Sequence, residues 1–254
     1  MDLKDKTIII FGASSGIGEA LAIELSKHNR VCTFSRRPFP KPNDNILNFE
    51  GDVRNRQNIK DAIDMCKSKW AVIDGFIYSV GQAQITDFKN FKADDVKNLM
   101  DTNFFGFLNS LECVLPDLLK QKTGIIAVVS ALMLNRSLPN GASYFGTKAA
   151  MHVFFEGLRM DLENQGIEFF EIRPGLVDTP MSRSMEVKSD KMWSGEKAAQ
   201  HIVKQIKRKE TDISFPLDLK ILTQSMNILP DSTYFKLIKS QMDKSFRNRP
   251  KSES

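Results

Sequence analysis

The stretch Thr7-Ile8-Ile9-Ile10-Phe11-Gly12-Ala13-Ser14-Ser15-Gly16-Ile17-Gly18 decides the fold of this 254-residue chain. Its β-branched, apolar start reads as a buried strand. A turn rich in Gly and Ser follows. Beyond it, Ile17, Ala20, Leu21, Ile23 and Leu25 recur at helical spacing, as far as His28. Strand, glycine turn and helix in this order form a phosphate cradle. Gly12 permits the tight turn, Gly16 lets backbone approach a pyrophosphate, and Gly18 lets helix and strand pack closely. Free N–H groups from Ser14, Ser15 and Ile17 then face the phosphates at the positive end of the helix. A dinucleotide site is the expectation.

The alternation continues along the chain. Strands are expected at Arg30–Ser35, Ile46–Phe49, Asp74–Val80, Gly124–Ser130, Gly166–Arg173 and Ile213–Phe215. Pro38–Asn45 is a loop rich in Pro and Asn. Helices are expected at Gln57–Lys69, Asp94–Lys120, Ala142–Asn164 and from Ser194 to near Lys209, with Pro116 marking a break or kink. Strands alternating with helices of this length predict an α/β fold: one Rossmann-like, doubly wound parallel sheet, helices on both faces, right-handed crossovers. Residues 1–216 make one domain. Residues 217–246 extend it: Leu219, Leu222, Met226 and Leu229 have near-helical spacing, as do Phe235, Ile238, Met242 and Phe246. This extension packs on the domain or a neighbouring subunit, or presents an amphipathic surface to a membrane or a lipid-like substrate. Residues 247–254 read as a disordered tail.

Composition narrows the function. The chain is 41% hydrophobic with 18 Phe, enough for a core and against disorder. No apolar run approaches the roughly 18 residues of a membrane helix. Met1–Lys6 is charged and lacks the apolar core of a signal peptide. Cys32, Cys66 and Cys113 are scattered free thiols, as in a reducing cytosol, so the expected location is cytoplasmic. His28, His152 and His201 have no metal-ligand spacing, so no metal is expected. The net charge of +5 lies wholly in Lys204–Ser254, with eleven Lys or Arg against six Asp or Glu. The main body is neutral, which argues against a nucleic-acid groove.

The end of the second strand reads Ser35-Arg36-Arg37. An acidic residue there would hold the ribose 2′-hydroxyl of NAD, whereas an arginine pairs with the 2′-phosphate of NADP. Arg36, supported by Ser35 and Arg37, points to NADP(H) over NAD.

Gly12, Gly16 and Gly18 at GxxxGxG spacing, with Tyr144-Phe145-Gly146-Thr147-Lys148 far downstream, resemble the short-chain dehydrogenase/reductase family over about residues 5–215. The resemblance implies a seven-stranded parallel sheet. It makes Asp52-Val53 the pair that contacts adenine and Gly81 a point of close approach to the cofactor. It makes Pro174, Gly175, Val177 and Thr179 part of the segment that caps the nicotinamide. Asn103 becomes the active-site asparagine that holds a water in the proton path, and Lys148 a ligand of the nicotinamide ribose. Tyr144 and Lys148, four apart on a helix, share one face. An ammonium, with a positive nicotinamide, favours the phenolate. Tyr144 then exchanges a proton with the substrate oxygen as hydride moves.

Three departures stand out. The family's third catalytic group is a serine thirteen positions before the tyrosine, which here is Ala131; Ser130 is its neighbour. Adjacent strand residues point to opposite faces, so Ser130 serves if a bulge or one-residue insertion turns it inward. Ser143 is a weaker substitute. Tyr78-Ser79-Val80-Gly81 replaces the usual Asn-Asn-Ala-Gly, with Tyr78 altering the packing on the adenine side, and Phe11 replaces a threonine. Pro180–Trp193, with Met181, Met185, Met192 and Trp193, suits an apolar pocket or the core. The reading is an NADP(H)-dependent oxidoreductase interconverting a carbonyl and an alcohol, its substrate small and apolar. A homodimer or homotetramer through the two long helices follows from the resemblance. The rival is a catalytically weak cofactor-binding sensor or scaffold, kept open by Ala131. A sugar-nucleotide epimerase fits less well, because that branch has GxxGxxG and a longer substrate domain.

Overall fold

In the computed structural model, which describes residues 3–185 and 189–247 with side chains to residue 240, strand and helix alternate throughout. The strands are β1 (Thr7–Phe11), β2 (Arg30–Ser35), β3 (Ile46–Glu50), β4 (Gly75–Tyr78), β5 (Gly124–Val129), β6 (Ile167–Pro174) and β7 (Asp212–Phe215). They form one seven-stranded sheet in the order β3-β2-β1-β4-β5-β6-β7, every pair parallel. The chain first builds outward from β1 to β3, then returns to β4 on the other side of β1. That reversal opens a crevice beyond the carboxyl ends of β1 and β4.

The helices are α1 (Gly16–Ser26), α2 (Arg56–Trp70), α3 (Ala93–Met100), α4 (Gly106–Gln121), α5 (Ala142–Asp161), α6 (Pro180–Ser184), α7 (Gly195–Lys207), α8 (Leu217–Ile228) and α9 (Asp231–Arg247). Strand alternation divides the core into two layers. Ile8 and Ile10 of β1 bury against Leu21 and Leu25 of α1 and Ile202 and Ile206 of α7. Ile9 and Phe11 bury on the opposite face with Ile59 and Ile63 of α2, Phe107 and Val114 of α4, and Met151 of α5. Cys32 and Cys66 are buried free thiols, and Cys113 is half-buried and free.

The expected helix Asp94–Lys120 is interrupted, but not at Pro116, which sits inside α4. Its ring costs one hydrogen bond there without ending the helix. The interruption is a π-helical turn, Asp101–Phe105, between α3 and α4. Gly106 N–H bonds to the Asp101 carbonyl instead of Thr102. The Thr102 carbonyl accepts a hydrogen bond from the Tyr78 phenol at 2.5 Å. Gly106 is needed beneath that phenol, because a Cβ there would lie 2.4 Å from the Tyr78 oxygen. Tyr78, the first of the three residues that depart from the Asn-Asn-Ala-Gly pattern, is thus a fully buried strut between sheet and π-turn.

At the other end, α8 and α9 fold back over the loop between β5 and α5. Tyr234 of α9 is buried and donates its hydroxyl to the Ser137 carbonyl at 2.9 Å. Arg136 stacks on the Tyr234 ring, pairs with Asp231 and donates to the Leu229 carbonyl. Residues 248–254, expected as a tail, lie outside the described residues, as do residues 186–188 of the Pro180–Trp193 segment. Among the described residues no helix is long and apolar enough to cross a membrane.

Candidate active site

A cleft of about 1070 Å³ runs along the carboxyl ends of the strands, at the point where the sheet order reverses. Its floor is the glycine turn. Gly12 and Gly16 have φ of +86° and +64°, which disfavour any side chain. A Cβ on Gly12 would meet the Ser79 carbonyl carbon at 2.7 Å, and one on Gly18 would meet the Gly12 oxygen at 2.2 Å. Ser15, at the N-cap of α1, makes no side-chain cap hydrogen bond. The first-turn N–H groups therefore open toward the cleft uncapped by that side chain. A bare-backbone cradle at a helix N-terminus fits a pyrophosphate.

Around this floor stand most of the residues expected from sequence. Ser14, Ser15, Ile17, Arg36, Asp52, Val53, Gly81, Pro174, Gly175, Val177 and Thr179 line the cleft with Ser130, Tyr144 and Lys148. Gly18 and Asn103 are buried behind its wall. Ser35 lines the cleft, yet its hydroxyl accepts from Ser14 N–H at 3.0 Å and donates to the Phe34 carbonyl at 2.7 Å. It braces the turn and has no proton left for a ligand. Asp52 is bound bidentately by Arg54. Hydrogen bonding from Arg54 holds the Asp52 carboxyl below its ordinary range, with a smaller pull from Arg36.

Asn103, expected to hold a water, spends its side chain on protein. Its carbonyl oxygen accepts from Gln82 N–H at 2.7 Å. Its amide donates to the Gln82 carbonyl and to Thr147 Oγ1, both at 2.9 Å. Thr147 in turn donates to the Tyr144 carbonyl at 2.8 Å. The π-turn, the loop after β4 and the start of α5 are thereby joined. Gln82 and Thr147 are positions that sequence reasoning missed, and neither carries a signal of its own.

Tyr144 and Lys148 stand one turn apart on α5. Lys148 is buried and donates from Nζ to the Val129 carbonyl at 2.8 Å, with Nζ 5.9 Å from the Tyr144 ring centre. Burial pushes the Tyr144 phenol up to about 12. Burial lowers Lys148 to about 8, against an opposing pull from Glu171. In the protein alone the phenol therefore moves opposite to the expected direction. Lost hydration of a phenolate outweighs an ammonium that is aimed at a carbonyl. Glu171, buried on β6, accepts from Arg173 and shares a hydrogen bond with His152 at 3.0 Å. His152 is thus a packing partner one turn beyond Lys148.

Ser130 and Ala131 follow directly on β5, and both are among the residues that line the cleft. The ladder continues without a bulge: Ser130 N–H bonds to Ile172 O at 2.8 Å and Leu132 N–H to Pro174 O at 3.3 Å. No insertion has turned Ser130. Its Oγ lies 3.4 Å from the Ile172 carbonyl, a long and weak bond. Ser143 is tied to Thr86 Oγ1 at 2.8 Å.

Beyond β6, Thr179 caps α6 through a reciprocal bond with Ser182. A Cβ on Gly16 would lie 3.1 Å from Thr179 Cγ2, so this cap closes over the phosphate turn. Met181 and Met185 line the cleft, whereas Trp193 stacks on Phe215 at 5.0 Å. Among the described residues no three His, Cys, Asp or Glu side chains gather to hold a metal.

The parallel sheet, the glycine cradle and the Tyr–Lys pair define a nicotinamide-nucleotide oxidoreductase of Rossmann type. The chain belongs to the short-chain dehydrogenase family: the model of that family, described as short chain dehydrogenase, matches residues 6–190. It is 30% identical to an uncharacterized oxidoreductase of Staphylococcus epidermidis, over 79% of this chain and 90% of that protein. It is 27% identical to one of Myxococcus xanthus, over 92% of this chain and 96% of that protein. The fold matches a short chain dehydrogenase from Burkholderia cenocepacia in complex with NADP, with a TM-score of 0.82 and 20% identity. That match covers 93% of this chain and 99% of the other. The protein is an NAD(P)-dependent dehydrogenase/reductase.

Proposed function

We propose that this protein is an NADPH-dependent reductase that converts a ketone or aldehyde into an alcohol, with Tyr144 as the proton donor. The observation that carries the reading is an arrangement: in one cleft, the glycine turn and the buried Lys148, its Nζ 5.9 Å from the ring centre, stand beside Tyr144, a phenol that burial keeps protonated. At neutral pH such a group is a proton donor, as carbonyl reduction requires. NADPH, held on the glycine turn when bound, would supply the hydride from its reduced nicotinamide. Tyr144 gives its phenolic proton to the substrate oxygen as charge develops there. Lys148, still protonated at neutral pH, steadies the phenolate left behind and binds ribose hydroxyls. Because no bulge turns the chain after β5, a second donor to the oxygen would come from Ser130 only by rotation of its side chain. Its weak 3.4 Å bond is readily exchanged for a better one by rotation about χ1. Asn103 acts as a positioning residue through Gln82 and Thr147.

The preference for NADPH rests on Arg36 and Arg37, which line the cleft beyond β2 where no acidic residue stands at the tip of the strand. The NADP in the Burkholderia structure is in keeping with it. Asp52 and Val53 would flank the adenine, and Gly81, Pro174, Gly175, Val177 and Thr179 the nicotinamide. Exposed Phe105, Val153, Phe154 and Met160, around α4 and α5, supply an apolar face for a homodimer. A second reading, a cofactor-binding sensor with little turnover, rests on Ala131. NADPH oxidation by wild type and Tyr144→Phe, with a panel of ketones and aldehydes, tests the two: turnover lost in the variant supports the reductase, and tight NADPH binding without turnover in wild type supports the sensor.

A further inference from the structure

Residues beyond the family match, which ends at 190, complete the cleft. Leu219, Leu222, Thr223 and Met226 of α8 and Ile238 of α9 line it. The first four fall on one helical face. Leu219 crosses from α8 to the catalytic side: a Cβ on Gly175 would lie 3.0 Å from both Leu219 Cδ1 and Leu132 Cδ1. Met226 and Ile238 bury together with Tyr234 against Met133, in the loop that follows β5. The Arg136–Tyr234–Ser137 bonds fasten this wall to that same loop.

The chemistry of the wall is one-sided. Five charged residues occur in 217–240, namely Asp218, Lys220, Asp231, Lys236 and Lys239, and none of them lines the cleft. The Thr223 hydroxyl is spent on the Leu219 and Lys220 carbonyls at 2.9 and 3.0 Å. Charged side chains that do line the cleft are Arg36, Arg37 and Asp52, beyond β2 and β3, and Lys148. A carboxylate, phosphate or sugar lying against α8 and α9 would lose its hydration without a partner. A hydrocarbon body would gain by burial there.

We propose that the α8–α9 hairpin is the specificity wall of this enzyme, and that it selects carbonyl substrates carrying an extended, uncharged apolar body. The proposal rests on the reductase reading for the reacting end of the substrate. Selectivity arises because Leu219, Leu222, Met226 and Ile238 remove the apolar body from water while the carbonyl reaches Tyr144.

The test uses the full-length protein with NADPH and methyl ketones from butanone to undecan-2-one. Wild type should favour undecan-2-one over butanone by at least about tenfold in kcat/KM, because each methylene buried against the wall is removed from water. Leu222→Asp and Met226→Ala should each cut that ratio at least fivefold. Leu222 is partly exposed, so its variant is the less exposed to folding failure. Ile228→Ser, on α8 but 85% exposed and away from the cleft, should leave the ratio unchanged. Displacement of the neutral dye Nile red by undecan-2-one, weakened in both cleft variants, reads the wall without turnover. Turnover with no chain-length preference, or a ratio untouched by either cleft variant, overturns the specificity wall and leaves the reductase standing. Displacement that is sensitive to the variants, with no ketone reduced, supports the apolar wall and overturns the reductase.

Discussion

Asn103 grips the backbone of Gln82 from both sides, accepting from its N–H at 2.7 Å and donating to its carbonyl at 2.9 Å. A fully buried amide used this way acts as a splice between the π-turn and the loop after β4. The same amide reaches Thr147, whose hydroxyl bonds to the carbonyl of Tyr144. The position of α5 thus depends on an asparagine that does not face the cleft. Asn103→Leu keeps the volume but leaves buried groups of Gln82 and Thr147 unpaired. The expected loss is about 3 kcal/mol in urea unfolding. An unchanged unfolding midpoint would contradict the splice.

Lys148 is a buried cation whose pKa lies at about 8 instead of 10.5. It is protonated below pH 8, so kcat/KM for reduction should be flat near neutrality and fall about tenfold per pH unit above it. The same shift works against the fold. Between about 8 and 10.5 the unfolded chain binds the proton that the native state has released, so stability rises with pH across that window. Lys148→Met should abolish reduction yet stabilise the protein at pH 7 by up to about 3 kcal/mol. That gain should vanish toward pH 10.5. A gain independent of pH would mean that packing, not charge, is responsible.

The hydroxyl beside Ala131 has a measurable consequence. If Ser130 donates to the substrate oxygen, Ser130→Ala should lower kcat on the order of 10²-fold. Ala131→Ser should then change kcat by less than tenfold. The opposite pattern, a silent Ser130→Ala and a large gain from Ala131→Ser, would mean that the second donor is missing.

The proposed preference for NADPH is assigned to Arg36. Arg36→Glu should weaken NADPH binding about 30-fold, the scale of a charge-assisted hydrogen bond. NADH binding should change less than threefold. Equal effects on both would show that Arg36 does not face the 2′-position.

The sheet was legible because its signals are local. Short continuous runs of apolar and β-branched residues mark β1, β2 and β5, and the glycine spacing marks the crevice. The family match over residues 6–190 and the seven parallel strands agree with that reading. Side-chain commitments were less legible, because they depend on partners far away in the chain. Nothing near Ser35 reveals that Ser14 uses its hydroxyl. Nothing near Asn103 reveals Gln82, which lies 21 residues earlier. The π-turn was read as a break at Pro116, since proline is a visible breaker whereas Tyr78 acts from another strand. The periodicity of α8 and α9 suggested an apolar face, but its place against the cleft depends on Arg136 and Tyr234, 98 residues apart.

The most direct measurement is NADPH oxidation by Tyr144→Phe beside wild type, with NADPH affinity measured on both. Wild type should reduce a ketone, and the variant should lose about a thousandfold in kcat. NADPH affinity should stay within threefold. A Tyr144→Phe enzyme that reduces the ketone at the wild-type rate would show that this phenol does not deliver the proton.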